Sequence, residues 1–207
     1  TFDPEESKSY ELGMKISSMD GRLNTTIALF KMEKSNILTA DPVNAGESAA
    51  LGEAESEGLE IDITGELSDS VDMVFSYAYV DAGTSTDLYN FDWEVNLPAG
   101  SELVNVPENS ANLMLTKQFN INGADASLGF TINYVDDRLG ETIDPAYRLP
   151  EYTLVNLFGS YQLNDQVKLT MNIDNLFDEK HYVSSYHKWW TTPGTPTSYV
   201  MGVTYAF

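Results

Sequence analysis

Apolar and polar residues alternate with a period of two along most of this 207-residue chain, and this pattern constrains its fold more than any other feature. From residue 167 to residue 174 every second residue is apolar, and the residues between are polar. Such a period predicts a β-strand, because successive side chains of a strand point to opposite faces. Nine segments show it, four of them more weakly: 10–16, 23–29, 59–68, 71–80, 111–119, 127–134, 153–163, 167–174 and 198–207.

These segments are long for strands. A tilted strand needs about 9–11 residues to cross a bilayer, whereas strands of soluble proteins average about five or six. One apolar face toward lipid and one polar face toward a lumen is the pattern of an outer-membrane barrel. The predicted fold class is therefore all-β, an antiparallel transmembrane β-barrel.

The connections between the predicted strands alternate between short and long. The short ones, which contain Gly, Asn, Asp and Ser as turns do, are 19–22, 68–70, 120–123 and 164–166. The long ones are 38–53, 81–106, 136–150 and 175–197. Outer-membrane barrels have short periplasmic turns and long extracellular loops. A soluble β-sandwich, the main alternative, has shorter strands and no such order of loops.

Nine is an odd number of strands, whereas single-chain bacterial outer-membrane barrels have an even number. An open sheet does not sit in lipid, because its edges leave backbone groups unpaired. We therefore expect residues 1–207 to be the C-terminal part of a larger barrel, with the missing strands N-terminal to Thr1.

The charge balance excludes one class of partner. The chain carries 11 Lys and Arg against 32 Asp and Glu, a formal net charge of -21, and it lacks the basic surface that nucleic acids require. It has no cysteine, which excludes disulfides, thiol nucleophiles and cysteine-ligated metals. No run of about 18 apolar residues occurs, so the sequence predicts no transmembrane helix.

The most specific motif lies near the C-terminal end. It consists of Asn175-Leu176-Phe177-Asp178, then Tyr182, then a long segment and a last alternating strand that ends in Phe207. With these residues the chain resembles the TonB-dependent outer-membrane receptors, whose hallmark is an Asn-Leu-Phe-Asp core followed shortly by Tyr. Weaker motifs fit the same family and fall in the right order: 4–13, 56–60 and 149–153.

The resemblance implies a 22-stranded barrel in the outer membrane of a Gram-negative bacterium, filled by an N-terminal plug domain that would precede Thr1. Counted back from Phe207, this chain would hold strands 14 to 22. The resemblance further implies uptake of a scarce ligand, driven by the inner-membrane proton gradient through TonB. The upstream motifs look most like the ferric-siderophore branch, particularly the receptors for hydroxamate siderophores.

Ligand specificity is expected in the long loops, because the strands face either lipid or the lumen. Aromatic side chains bury much area at low entropic cost and are common ligand anchors. The candidate ligand-binding residues are Tyr89, Trp93, Tyr147, Tyr186, Trp189 and Trp190. The alternative is an interfacial aromatic girdle. The girdle is favoured for Tyr77, Tyr79 and Tyr134, and both interpretations stay open for Trp189 and Trp190.

Neither catalysis nor a resident metal is predicted. His181 and His187 are the two histidines, and no Ser, His and acid grouping has a recognisable local signature. A structural role is favoured for His181, which lies inside the motif segment. Two acidic groups have the oxygen ligands that suit a hard cation, although solvated acidic loops are favoured for both. They are Asp136, Asp137, Glu141 and Asp144, and Glu53, Glu55 and Glu57.

The predicted function is TonB-dependent uptake of a ferric siderophore, with no cofactor beside that transported ligand. The expected partners are outer-membrane lipid and lipopolysaccharide, the ferric siderophore, and TonB through the N-terminal plug region. The alternatives are the same family importing cobalamin, haem or a glycan, a passive porin-like channel, and a barrel enzyme.

Overall fold

The structure, a computed structural model, describes residues 2–41, 44, 46–90 and 95–207, and these residues form strands, turns and loops without a helix. Within this part of the chain no helix is long and apolar enough to cross a membrane. The strands are β1 (Glu6–Ser18), β2 (Leu23–Ala40), β3 (Ser48–Ser68), β4 (Val71–Thr84), β5 (Leu88–Asn90), β6 (Val95–Leu97), β7 (Asn109–Ile121), β8 (Ala124–Val135), β9 (Arg138–Leu139), β10 (Arg148–Leu149), β11 (Tyr152–Asn164), β12 (Val167–Asp174), β13 (Tyr182–His187), β14 (Trp190–Pro193) and β15 (Ser198–Tyr205).

Nine of these strands form one continuous sheet in the order β1-β2-β3-β4-β7-β8-β11-β12-β15. All neighbours in it are antiparallel. The others form three two-stranded hairpins, β5 with β6, β9 with β10 and β13 with β14, each within a long connection between two sheet strands. The nine predicted strands and their order are confirmed.

The cross-strand register separates an apolar face from a polar face. One row of the sheet aligns Ile27, Ile61 and Tyr77. The next row lies on the opposite face and aligns Asp62 with Ser76, whose hydroxyl donates a hydrogen bond to Asp62 Oδ1 at 2.7 Å. A slip of one residue would exchange the two faces, so the alternation in the sequence fixes the register.

Neither face of the sheet is covered by a second layer. In the described residues the buried apolar side chains are few, namely Ala28, Ala126, Leu139 and Leu149, and the last two lie in the β9–β10 hairpin. Apolar side chains of the sheet are exposed instead, as Met201 is at 83%. A sandwich would bury this face in a core about 10 Å thick, so the sheet has the character of a barrel wall.

The short turns join the strands at one end of the sheet, where successive strands meet, and they place Asn, Asp and Gly where φ is positive. Asp20 and Gly21 have φ of 55° and 89°, and Asn122 and Gly123 have φ of 54° and 89°. Asn164 closes its turn differently, because its Oδ1 accepts hydrogen bonds from the backbone N–H groups two and three residues later, both at 3.0 Å. The predicted short turns are confirmed.

The predicted long loop at 38–53 is wrong in its extent. β2 runs on to Ala40 and β3 begins at Ser48, so only a short connection joins them. Backbone hydrogen bonds between two strands do not require apolar side chains, so a hairpin can extend beyond the apolar, membrane-facing part of the sheet. The alternation of apolar and polar residues therefore ends before the strands end. β4 likewise continues to Thr84, inside the predicted loop 81–106.

Candidate ligand-binding loops

Parts of three long connections meet at the end of the sheet opposite the short turns. We call these residues the loop cluster: 98–106, 138–149 and 175–197. Asn105 joins all three parts. Its Nδ2 donates to the carbonyl oxygen of Ser185 at 2.7 Å, and its Oδ1 accepts from the backbone N–H of Ser185 at 2.8 Å. Its own backbone N–H donates to the carbonyl of Leu139 at 2.9 Å.

Arg138 is the second cross-link of the loop cluster, and it is only 2% exposed. Its Nη2 donates to the carbonyl oxygens of Tyr182 at 2.7 Å and Val183 at 3.0 Å. Its guanidinium carbon lies 5.6 Å from the centroid of the Tyr152 ring, within the range of a cation–π contact. Because Nη2 alone donates to the carbonyls of two consecutive residues, Arg138 holds the beginning of β13 against β9.

Glu141 is the third cross-link, and it is only 1% exposed. Its Oε2 accepts a hydrogen bond from the backbone N–H of Lys188 at 2.8 Å and lies 3.4 Å from His187 Nε2. Its Oε1 lies 3.9 Å from Lys188 Nζ and has no hydrogen-bond donor among the described residues. A buried carboxylate is costly unless it is hydrogen-bonded and paired with a cation, so these contacts fix the turn of the β13–β14 hairpin.

A cavity of about 340 Å³ lies between the three parts of the loop cluster. Small-molecule sites commonly measure about 300–1,000 Å³ and combine apolar walls with a few polar groups. This cavity has that mixed lining: Val104, Asn105, Glu141, Thr142, Ile143, Ser185, Tyr186 and His187.

Four of the predicted ligand-binding residues lie in the loop cluster. Tyr186, Trp189 and Trp190 belong to the β13–β14 hairpin and its turn, and Trp189 is 80% exposed. The rings of Tyr186 and Trp190 stack with their centroids 6.0 Å apart. Tyr147 is half-buried, and its hydroxyl lies 2.5 Å from Thr191 Oγ1 in β14. Tyr147 therefore fastens the hairpin, whereas the other three side chains are largely exposed.

The other two predicted residues do not join this group. Tyr89 lies in β5, opposite Asn96 of β6, in a hairpin that packs beside β2. Trp93 lies outside the described residues. Ligand binding by any of the six aromatic residues stays a prediction.

The Asn-Leu-Phe-Asp motif closes the base of the last loop. Asn175 is 3% exposed, and its Nδ2 donates to the carbonyls of Glu179 and Thr195, both at 3.0 Å, while its Oδ1 accepts from the backbone N–H of Glu179 at 2.8 Å. Asn175 and Asp178 have φ of 50° and 54°, a left-handed conformation that short polar residues tolerate. Phe177 is exposed. The motif thus holds the two ends of the loop together.

The rest of the motif segment also serves the packing of the last loop. His181 is buried, with its ring 4.8 Å from the Tyr152 ring. It covers Gly194, where a Cβ atom would come within 2.0 Å of His181 Nε2. Tyr182 begins β13, and Phe207 is exposed at the end of the chain. These contacts agree with the structural role predicted for His181.

Two of the acidic residues considered as cation ligands, Asp136 and Asp137, have different partners. Asp136 accepts hydrogen bonds from Asn109 Nδ2 at 2.8 Å and from the Tyr134 hydroxyl at 3.2 Å. The bond from Asn109 is the main cause that lowers the pKa of Asp136. Asp137 pairs with Arg148, and this hydrogen bond is the main cause that raises the pKa of Arg148. In the described ranges no three His, Cys, Asp or Glu residues converge in a way that suits a metal ion.

Sequence reasoning missed Asn105 and Arg138 as cross-links. The sequence holds only weak signals for them. Asn105 is a lone polar residue between Val104 and Val106, and Arg138 is a cation directly after Asp136 and Asp137 in an acidic chain. Neither signal names the distant backbone that each side chain binds.

A sheet that leaves one apolar face uncovered along its whole width needs lipid against that face. This property places the chain in the class of outer-membrane β-barrel proteins. The family described as "TonB dependent receptor-like, beta-barrel" matches residues 1–176. The chain belongs to this family.

Relatives match almost the whole chain. The metal-pseudopaline receptor of Pseudomonas aeruginosa is 40% identical over 206 residues, which cover 98% of this chain and 28% of that protein. The ferrichrome outer membrane transporter/phage receptor of Escherichia coli is 30% identical over 214 residues, which cover all of this chain and 27% of that protein. The chain thus spans less than a third of the length of these relatives.

Solved structures agree with the fold. The siderophore receptor PiuA from Acinetobacter baumannii superposes with a TM-score of 0.82 at 26% identity, covering 99% of this chain and 29% of that one. The closed form of the ferric-catecholate import receptor Fiu from Escherichia coli gives 0.81 at 22% identity, covering 100% and 28%. The predicted family, the antiparallel barrel fold and the Gram-negative outer-membrane location are confirmed.

Proposed function

We propose that this chain supplies barrel wall and extracellular ligand-binding loops to a receptor that takes up a ferric siderophore across the outer membrane with energy transmitted by TonB. The observation that carries the proposal is the nature of the relatives that align with the whole chain. They include a probable TonB-dependent siderophore receptor at 28% identity and the ferrichrome transporter at 30%. The family is one of receptors, and we propose no catalysis and no cofactor for this chain.

The loop cluster supports this proposal chemically. It offers a cavity of about 340 Å³ beside exposed aromatic rings, and aromatic surfaces bind bulky, partly apolar ligands at low entropic cost. Three polar cross-links from Asn105, Arg138 and Glu141 hold the aromatic hairpin in place. A site whose loops are ordered before the ligand arrives loses less entropy on binding.

A complex of another metal with its metallophore is the second candidate cargo. One observation favours it: the metal-pseudopaline receptor is 40% identical to this chain, whereas the ferrichrome transporter is 30% identical. Both cargoes are metal chelates, and the same loops would receive them.

We also propose that residues 1–207 are the C-terminal part of the barrel, and that the plug domain and earlier strands belong to the rest of the receptor. The coverage of 28% of the metal-pseudopaline receptor supports this. In the described residues β1 pairs only with β2 and β15 only with β12, which leaves each an edge for a further strand. TonB would act through the plug region, and lipid and lipopolysaccharide would meet the apolar face.

Uptake by cells that lack the parent gene tests the proposal. Iron-starved cells are given iron-55 as ferrichrome, ferrioxamine B or pyoverdine, and zinc-65 with pseudopaline. We expect uptake of at least one chelate to disappear when the gene is deleted and to return when the intact gene is restored. When the intact gene is restored in cells that also lack TonB, uptake should stay absent. Uptake that persists without TonB would indicate a passive channel, and normal uptake of all four chelates would overturn the proposal.

The role of the loop aromatics is tested in the same cells. Trp190→Ala should raise the chelate concentration for half-maximal uptake about 30-fold or more, because aromatic anchors at binding sites contribute about 2 kcal/mol or more. Tyr199→Ala is the matched control, since Tyr199 is equally exposed but lies on β15, opposite Ile173 on the apolar face. Equal effects of the two substitutions would contradict a ligand-binding role for Trp190.

A further inference from the structure

One oxygen of the buried Glu141 carboxylate lacks a hydrogen bond among the described residues, whereas His187 Nε2 lies 3.4 Å from the other oxygen. The backbone N–H of Lys188 satisfies Oε2 at 2.8 Å, but Oε1 has no hydrogen-bond donor within the described part of the chain. The nearest ammonium is that of Lys188, at 3.9 Å from Oε1 and 3.8 Å from Asp144 Oδ2. One ammonium therefore stands between two carboxylates and hydrogen-bonds to neither.

An aromatic residue lines the same cavity as this carboxylate. Glu141 and Tyr186 both line it, and the ring of Tyr186 stacks on that of Trp190. Aromatic faces attract cations, and a carboxylate that lines the same cavity adds charge pairing. Val104 and Ile143 line the cavity as well and suit the alkyl carbons that carry an amine.

We propose that this cavity is a subsite for a primary alkylammonium group, with Glu141 as the anionic acceptor and Tyr186 as the aromatic wall. The proposal rests on the proposed function and deepens it, because it assigns a pendant amine to the transported chelate. A bare divalent cation fits less well, since hard cations take six or more oxygen ligands. An anionic group is disfavoured by the buried charge of Glu141.

Lys188 acts as the internal competitor for this subsite. Its side chain is 42% exposed, and its ammonium lies 3.9 Å from Glu141 Oε1. An arriving ammonium takes the position beside Oε1, and Lys188 turns toward Asp144 and solvent. Removing the Lys188 ammonium should therefore strengthen binding of a ligand amine, while the backbone N–H of residue 188 still holds Oε2.

The test uses the full-length receptor in detergent and two small probes of the same shape, n-pentylammonium and n-pentanol, followed by saturation-transfer NMR. We expect the wild-type receptor to bind n-pentylammonium with higher affinity than n-pentanol. Glu141→Gln should weaken n-pentylammonium at least tenfold and leave n-pentanol unchanged, because the amide still accepts from Lys188 N–H but carries no charge. Lys188→Met should strengthen n-pentylammonium several-fold. Glu151→Gln, an exposed carboxylate outside the cavity, is the control.

Equal affinity for the two probes, or n-pentylammonium binding that Glu141→Gln and Lys188→Met leave unchanged, overturns the subsite. The opposite signs expected for these two variants separate a charge effect from a general loss of folding. Failure of the proposed function is distinguishable, since a receptor that imports no metal chelate can still bind n-pentylammonium through Glu141.

Discussion

Asn105 and Ser185 lie 80 residues apart in the sequence, yet the side-chain amide of one is hydrogen-bonded twice to the backbone of the other, at 2.7 and 2.8 Å. The amide occupies the side of β13 that does not face β14, and it presents a donor and an acceptor as a neighbouring strand would. Asn105 has φ of 65°, a conformation that Asn adopts more readily than most residues. One residue type thus serves both the local turn and the distant contact.

Replacing Asn105 with Gly should release the β13–β14 hairpin. Gly keeps the positive φ but removes two hydrogen bonds, each of which contributes about 0.5–1.5 kcal/mol net. We expect the amides of residues 182–193 to exchange with deuterium about 10–100-fold faster in the full-length receptor, with no change in the strands of the sheet. The matched control is Asn122→Gly, because Asn122 also has positive φ, of 54°, but lies in a short turn at the opposite end of the sheet. Faster hairpin exchange in the control would contradict the cross-link.

The sheet was predictable from the sequence because each membrane-spanning strand repeats the same simple pattern. Every second residue must be apolar, and Ile61 and Tyr77 of neighbouring strands satisfy it in register. Where β2 and β3 continue toward Ala40 and Ser48, that pattern is absent, and the strands were predicted to end too early. The alternation therefore reports the apolar band rather than the full length of the strands.

The loop cluster was less predictable, because its order depends on side chains that bind distant backbone. The Asn175 motif could be found, since its function is local and its positive φ selects a residue type. The aromatic candidates were found by composition, but composition did not separate Tyr147, which fastens the hairpin, from Trp189, which is exposed. Arg138 binds carbonyl oxygens, and every residue has one, so no sequence pattern marks its partners.

Asn175→Asp tests whether the motif is a structural clasp. The carboxylate keeps the size and tolerates the positive φ, but it turns two donated hydrogen bonds into contacts between oxygen atoms at the carbonyls of Glu179 and Thr195. Leaving buried acceptors unsatisfied costs about 1–3 kcal/mol each. We expect deuterium exchange across residues 175–197 to accelerate at least tenfold. Phe177→Leu lies in the same motif but alters an exposed side chain, and it should leave this exchange unchanged; parity between the two variants would exclude the clasp.

Gly194 and His181 should be coupled energetically. An Ala at residue 194 places its Cβ within 2.0 Å of His181 Nε2, and overpacking of this kind costs about 1–3 kcal/mol. Gly194→Ala should therefore lower the local stability of the last loop. In the His181→Ala background the obstacle is gone, and Gly194→Ala should cost much less. Deuterium exchange of the two single variants and the double variant gives the coupling energy, expected at about 1–3 kcal/mol. Additive effects would show that the close approach is relieved elsewhere.

Asp136 should make the rim of the sheet sensitive to acid. Its hydrogen bond from Asn109 lowers its pKa below the usual value of 3.8, so the folded state favours the charged form. The stabilisation is present above about pH 3.8 and is lost as pH falls through the folded-state pKa. In thermal unfolding of the full-length receptor, the melting temperature of the wild type should exceed that of Asp136→Asn at pH 6. This difference in melting temperature should shrink as pH approaches 3. Asp165→Asn, in an exposed turn, should show no such convergence. A difference between wild type and Asp136→Asn that stays constant from pH 6 to pH 3 would show that the charge of Asp136 does not stabilise the rim.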